Sequence, residues 1–191
     1  MRKLFLIAGL MTAFLLLILA VSAQNKASFA GTWGLDKAKS QGLSQGMQNA
    51  ESVTWNITQD DKQISIDSKV VAGQSSSAAT AGGGGGAGAG GGRGAGAGMG
   101  GPRTYTLDGK ETSTEAGGQM GGTNTTKATW SGDSKSLELS SVRTGNMNGN
   151  EFKATTTEKL SLSGDGKVLT VVRHSESPRG AQDSTLVFNK Q

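Results

Sequence analysis

Residues 53–67 read Val53-Thr54-Trp55-Asn56-Ile57-Thr58-Gln59-Asp60-Asp61-Lys62-Gln63-Ile64-Ser65-Ile66-Asp67. Val53, Trp55 and Ile57 alternate with Thr54, Asn56 and Thr58; Ile64 and Ile66 alternate with Ser65 and Asp67. Successive side chains of a strand point to opposite faces, so a period of two gives one apolar and one polar face. Asp60-Asp61-Lys62 breaks the pattern with turn-forming residues. The stretch therefore predicts two half-buried antiparallel strands joined by a tight turn.

The same pattern extends in both directions. Tyr105 and Leu107 alternate with Thr104 and Thr106, and Asp108-Gly109 follows as a hairpin turn, because Gly accepts the positive φ that such turns need. Trp130 closes a Thr-rich strand before Gly132-Asp133, and Leu137 and Leu139 open the next. Asn148-Gly149 predicts a turn into a long strand from Glu151 to Leu162, whose even positions are Phe152, Ala154, Thr156, Glu158, Leu160 and Leu162. Gly164-Asp165-Gly166 turns back into Val168–His174, a run whose composition suits burial on both faces. Phe29–Leu35 and Thr185–Lys190 read as the first and last strands. Asp36–Ser40 is the one place after residue 23 where a helical turn is expected. About eight to ten short strands in a meander leave two unpaired edges, which closure into an antiparallel up-and-down β-barrel removes.

The first 23 residues differ in kind. Arg2 and Lys3 precede an apolar run from Leu4 to Val21, and Val21-Ser22-Ala23 supplies small residues before polar Gln24-Asn25-Lys26. That order is the order of a secretory signal peptide. The expected mature chain, 24–191, is then periplasmic or secreted in a bacterial envelope, with no stable membrane insertion after cleavage. The apolar run is also near the lower length limit of a spanning helix, so an uncleaved anchor is the other reading. The chain has no cysteine. No disulfide can staple the fold, and no lipidated cysteine can hold it to a membrane.

Charge excludes one class of partner. The formal net charge is +4. It falls to about +2 once Arg2 and Lys3 leave with the leader, and no Lys/Arg cluster concentrates it, so nucleic acid is not an expected partner. Residues 72–101 are almost entirely Gly, Ala and Ser. They have no apolar surface to bury and much backbone entropy to lose, which predicts a disordered Gly-rich loop inserted within one barrel domain. The chance G-x-G-x-x-G matches inside it follow no strand and open no helix, so they do not hold a phosphate.

Reactive residues are sparse. His174 is the one histidine, and no nucleophile and orienting acid are spaced to use it as catalysis requires. No His, Cys and carboxylate cluster predicts a metal site, and Asp60-Asp61 and Gly164-Asp165-Gly166 read as turns rather than calcium loops. Glu111, Glu115, Glu138, Glu151 and Glu158 could form a carboxylate pair only through the fold. The expectation is a protein that is not an enzyme and has no cofactor.

Near the proposed mature start stands Phe29-Ala30-Gly31-Thr32-Trp33-Gly34-Leu35-Asp36, followed by Lys37-Ala38-Lys39-Ser40. Gly31-Thr32-Trp33 resembles the G-x-W signature of lipocalins, and the continuation is similar to small secreted lipocalin-like bacterial proteins of unassigned function. The ending Ser184-Thr185-Leu186-Val187-Phe188-Asn189-Lys190-Gln191 resembles their closing strand. The resemblance implies a lipocalin-like barrel with Gly31 and Trp33 as a structural motif. It places Trp33 at the closed end beneath a basic residue from the last strands, Lys190 or Arg173, in a cation–π contact. Typical lipocalin features are also missing: the disulfide and a clear C-terminal helix.

These readings lead to an exported, monomeric barrel whose partner is a small hydrophobic molecule. Trp55, Tyr105, Trp130 and Phe152 are the candidate ligand-lining residues, each also readable as ordinary core. Small inward residues such as Ala128, Ala154 and Thr156 suit a cavity and a filled interior alike. The competing functional class is a structural or adhesive cell-envelope protein acting through its Gly-rich segment. A third, an outer-membrane barrel, is disfavoured by the Ser/Thr/Lys-rich strand faces.

Overall fold

The computed structural model describes residues 26–73, 102–115, 122–147 and 150–191. The expected leader, most of the Gly-rich loop and the Asn148-Gly149 turn lie outside the described residues. The strands are β1 (Gly31–Leu35), β2 (Ala50–Gln59), β3 (Gln63–Ala72), β4 (Arg103–Thr106) and β5 (Thr112–Glu115). They continue with β6 (Thr123–Trp130), β7 (Ser136–Met147), β8 (Asn150–Leu162), β9 (Val168–Ser177) and β10 (Gly180–Lys190). A short helix, α1 (Gln45–Asn49), precedes β2. Expected residues 72 and 73 of the Gly-rich loop belong instead to the end of β3 and its exit, where the Gly73 amide donates to the Asn49 carbonyl at 3.2 Å.

All ten strands form one antiparallel sheet in the order β4-β3-β2-β1-β10-β9-β8-β7-β6-β5. Apart from β4 and β5, sequence neighbours are sheet neighbours, and β1 pairs with β10, so the sheet rolls into an up-and-down barrel. Closure is incomplete. The Asp108-Gly109 turn forms, with Gly109 at φ 77°, but the strands it joins do not pair. β4 pairs with β3, and β5 with β6. The seam between β4 and β5 is bridged by the Thr106 and Thr112 hydroxyls, 3.2 Å apart.

Alternation decides which face is inside. Trp55, Ile57, Ile64, Ile66, Leu137, Leu139, Leu160, Leu169, Val171, Leu186 and Phe188 are all buried. Burying an aliphatic side chain of this size stabilises by about 1.5–3 kcal/mol. A bulge between Ala50 and Ser52 shifts the parity of β2, which lets Ala50 and Val53 both face inward. β9 corrects the expectation of burial on both faces: Val172 is 53% exposed between buried Val171 and inward Arg173. A β-branched run shows propensity for a strand, not two-sided burial.

The turns after β2, β4, β6 and β8 share one end of the barrel and one chemistry. In each, an Asp carboxylate accepts the backbone amide of a Lys two residues on: Asp60 from Lys62, Asp108 from Lys110, Asp133 from Lys135 and Asp165 from Lys167. Such Asx turns satisfy a donor that the hairpin leaves free. The segment before β1 plugs this end. The Gln59 amide holds it by accepting from Phe29 N at 2.9 Å and donating to Ala27 O at 3.0 Å. Phe29 stacks on Trp130 with ring centroids 6.0 Å apart. Trp33 Nε1 donates to Phe29 O at 2.8 Å, and Lys190 Nζ lies 5.3 Å from the Trp33 ring centroid. Lys190, not Arg173, therefore caps Trp33. Gly31 at φ 139° starts the strand directly beneath the Lys190 stem. The turn expected at Asp36–Ser40 forms over Lys37–Lys39, with Ser40 N donating to Lys37 O at 3.3 Å, without becoming a helix; Gln41 then bridges to Thr185 of β10, and the helix forms later, with Met47 as its buried residue.

Candidate functional site

The barrel interior changes character along its axis. Beside the plugged end, Leu137, Leu160, Leu169, Ile57 and Phe188 fill it. One strand level further, Trp55 packs against Phe188 at 4.6 Å. Above Trp55 the interior opens into a cavity of about 1140 Å3 that reaches the opposite end. β3 ends and β4 begins at this mouth, and α1 stands beside it.

The floor of the cavity is charged. Glu158 on β8 is 1% exposed. Its Oε1 accepts from Arg173 Nε on neighbouring β9 at 2.7 Å, and its Oε2 accepts from Arg103 Nη1 on β4 at 2.7 Å. The two guanidinium carbons lie 5.4 Å (Arg103) and 5.8 Å (Arg173) from the Trp55 ring centroid. Burial pushes the Glu158 pKa up, but the Arg103 and Arg173 charges together with their hydrogen bonds outweigh it and hold the carboxyl below its ordinary value. Burial also pushes the Tyr105 hydroxyl up, while Ser141 and Arg103 pull the other way.

Above the floor the wall is hydroxyl-rich, with Ser68, Ser141, Thr156, Ser175 and Ser184. Arg143 on β7 stands one inward position further towards the mouth, level with Ala154, and makes no ion pair among the described residues. Towards the mouth the wall turns apolar through Met47, Val70, Phe152 and Ala154. Buried donors without a partner concentrate here. Of four such side-chain atoms among the described residues, Ser68 Oγ, Arg103 Nε and Arg143 Nε belong to cavity residues, and the fourth is Trp130 Nε1.

The candidate lining residues separate by level. Trp55 and Phe152 border the cavity. Tyr105 is buried with 2% exposure and is not part of the lining. Trp130 lies at the plugged end against Phe29 and Lys26. Its side chain shares the inward face, but its place in β6 puts it at the wrong end for the cavity. Gly31 and Trp33 sit in the plug.

Of the carboxylates considered for acid–base work, Glu158 is committed to two arginines; Glu111, Glu115, Glu138 and Glu151 are exposed. His174 lies outside the barrel on β9, with Nδ1 2.6 Å from Asp183 Oδ1 and Nε2 3.3 Å from Glu176 Oε1. The Asp183 and Glu176 hydrogen bonds raise its pKa. Among the described residues no group of three or more His, Cys, Asp or Glu could hold a metal ion.

Of the four charges that shape the interior, Glu158 was expected only as a possible acid–base carboxylate and Arg173 only as a cap on Trp33; Arg103 and Arg143 were not candidates. Their signal is parity: Arg103 shares a face with Tyr105, Arg143 with Leu137 and Leu139, Glu158 with Leu160, and Arg173 with Leu169 and Val171.

No family model matches the chain, and no curated protein matches it. Among solved structures, it is similar to zebrafish ileal bile acid-binding protein complexed with cholic acid. The two share 12% identity at a TM-score of 0.44, and the match covers 86% of this chain and 100% of that one.

Proposed function

We propose that the protein is a carrier that holds a small, partly hydrophobic molecule in the open half of its barrel. The observation that carries this reading is the cavity of about 1140 Å3, bounded below by Trp55 and reaching the mouth opposite the plug. Binding sites for small molecules are concave, mix apolar walls with a few placed polar groups and occur in the mouths of barrels. Met47, Val70 and Phe152 supply the apolar wall, and the arginines and hydroxyls the polar groups.

Trp55 at the floor provides the readout. Titration with 1-anilinonaphthalene-8-sulfonate should raise probe fluorescence and quench tryptophan emission saturably, and Trp55→Phe should remove most of the quenching. Native mass spectrometry of protein taken from its own source should show a co-purifying small molecule. A protein that binds no probe and carries no passenger would end the carrier reading.

Export is part of the proposal. The charged, apolar, small-residue order of residues 1–23 supports it. N-terminal sequencing of the protein from a cell-envelope fraction should begin near Gln24. Full-length protein retained in the membrane would point to an uncleaved anchor instead.

A further inference from the structure

We infer that the carried molecule is an amphipathic organic anion, bound with its charged group inside the barrel and its apolar body towards the mouth. The inference rests on the carrier reading and deepens it.

The interior carries an uncompensated positive charge. Arg103, Arg143 and Arg173 face one buried carboxylate, Glu158. Glu151 and Glu176 also border the cavity, but at its exposed rim, where water screens them. A half-buried guanidinium without a partner, as at Arg143, carries a desolvation penalty that a bound anion would offset. Cation–π contact with Trp55 compensates Arg103 and Arg173 in part. Arg143 has no aromatic ring at its guanidinium and no acid partner among the described residues.

Hydrogen bonding points the same way. The unpartnered buried atoms of the cavity are Ser68 Oγ, Arg103 Nε and Arg143 Nε. Two are pure donors and the third is a hydroxyl that can donate. A set of orphaned donors selects a ligand rich in acceptors, and a carboxylate or sulfonate accepts several charge-assisted bonds at once. A neutral alcohol could satisfy fewer of them and none of the charge.

Orientation follows from where the apolar residues stand. Val70 lies two residues mouthward of Ser68; Arg143 pairs with Ala154, and Phe152 lies one inward position mouthward of that level. Met47 of α1 completes this rim. A head-inward ligand thus matches donors with its charged group and apolar surface with its body.

The test compares decanoate with decanol, which share a chain and differ in head group, by tryptophan quenching in the full mature protein. Decanoate should bind about 10–100-fold more tightly, the range expected of charge-assisted hydrogen bonds. Arg143→Met, close in volume but uncharged, should remove most of that preference by weakening decanoate far more than decanol, and Arg143→Lys should keep the preference. Thermal melts confirm that each variant folds. Equal binding of the two probes, or an Arg143→Met loss shared equally by both, would overturn the anion inference and leave the carrier reading standing. Failure of both probes to bind would overturn the two together.

Discussion

Arg103 Nη1 donates to Glu158 Oε2 at 2.7 Å, joining β4 to β8, strands that are not neighbours in the sheet. β4 is one lip of the open seam, so this ion pair ties a free sheet edge to the far wall through the barrel interior. Glu158 also holds Arg173, and both guanidiniums rest on Trp55. One carboxylate therefore organises the floor of the cavity.

Glu158→Gln should lower unfolding free energy by about 3–5 kcal/mol, because it leaves two buried guanidiniums facing a neutral amide. Replacing all three charges, as in Glu158→Leu with Arg103→Met and Arg173→Met, should recover much of the loss, since no uncompensated buried charge remains. Urea denaturation of both variants checks this. A single variant within 1 kcal/mol of the parent, by the usual scatter of surface changes, would contradict the buried cluster.

The pH dependence has a definite sign. The folded-state pKa of Glu158 lies below the ordinary carboxyl value of 4.5. Its contribution is therefore complete above that value and is lost as pH falls from there through the folded pKa. Stability measured by urea melts should drop steeply on acidification below pH 4.5, and Glu158→Gln should show a shallower drop. The remaining slope in that variant should come from the turn carboxylates, which their local hydrogen bonds also hold below the ordinary value. Parallel acid titrations of parent and variant would count against the assignment to Glu158.

Trp33→Phe keeps an aromatic ring in the plug but removes the donor to Phe29 O. An orphaned buried acceptor destabilises by about 1–3 kcal/mol. Lys190→Met, which keeps the aliphatic stem over Gly31 and the Trp33 ring, should lose only about 0.5–1 kcal/mol through the cation–π contact. Thermal unfolding should rank Trp33→Phe as the more harmful change; the reverse order would mean that the charge over the ring, not the hydrogen bond, anchors the plug.

Gly42 sits at the mouth with φ 64°, and a Cβ there would run into the Asp183 carbonyl and the Ser184 backbone. Gly42→Ala combines left-handed strain with a backbone clash and should destabilise by about 2–4 kcal/mol. It should also displace the 41–185 bridge beside α1, so hydrogen exchange at Gln41 and Thr185 should accelerate more than at the plug. Uniform acceleration would show that the mouth does not open separately.

Much of the barrel was legible because its determinants are local. The Val53–Asp67 hairpin shows its period directly, and the Asp-x-Lys turns carry their own hydrogen bonds. The helix α1 was not legible, since its five residues present Met47 as the one buried side chain and no 3.6-residue stripe. Trp55 and Trp130 looked equivalent as candidate lining residues, both inward on alternating strands. They part because each occupies a different level of the barrel, Trp55 below the opening and Trp130 in the plug.

From residue order alone come most of the strands, their inward faces, most of the turns and the parity that turns Arg103, Arg143, Glu158 and Arg173 towards the axis, because alternation and Asx turns act between neighbours a few residues apart; β5, exposed throughout, shows no such alternation. Which end is filled, where the seam opens despite the Asp108-Gly109 turn, and that Arg103 meets Glu158 across the interior were decided only by the rolled sheet. Those relations depend on how far each strand climbs round the barrel before its side chains meet the opposite wall, a distance set by the closure of ten strands together rather than by any one of them.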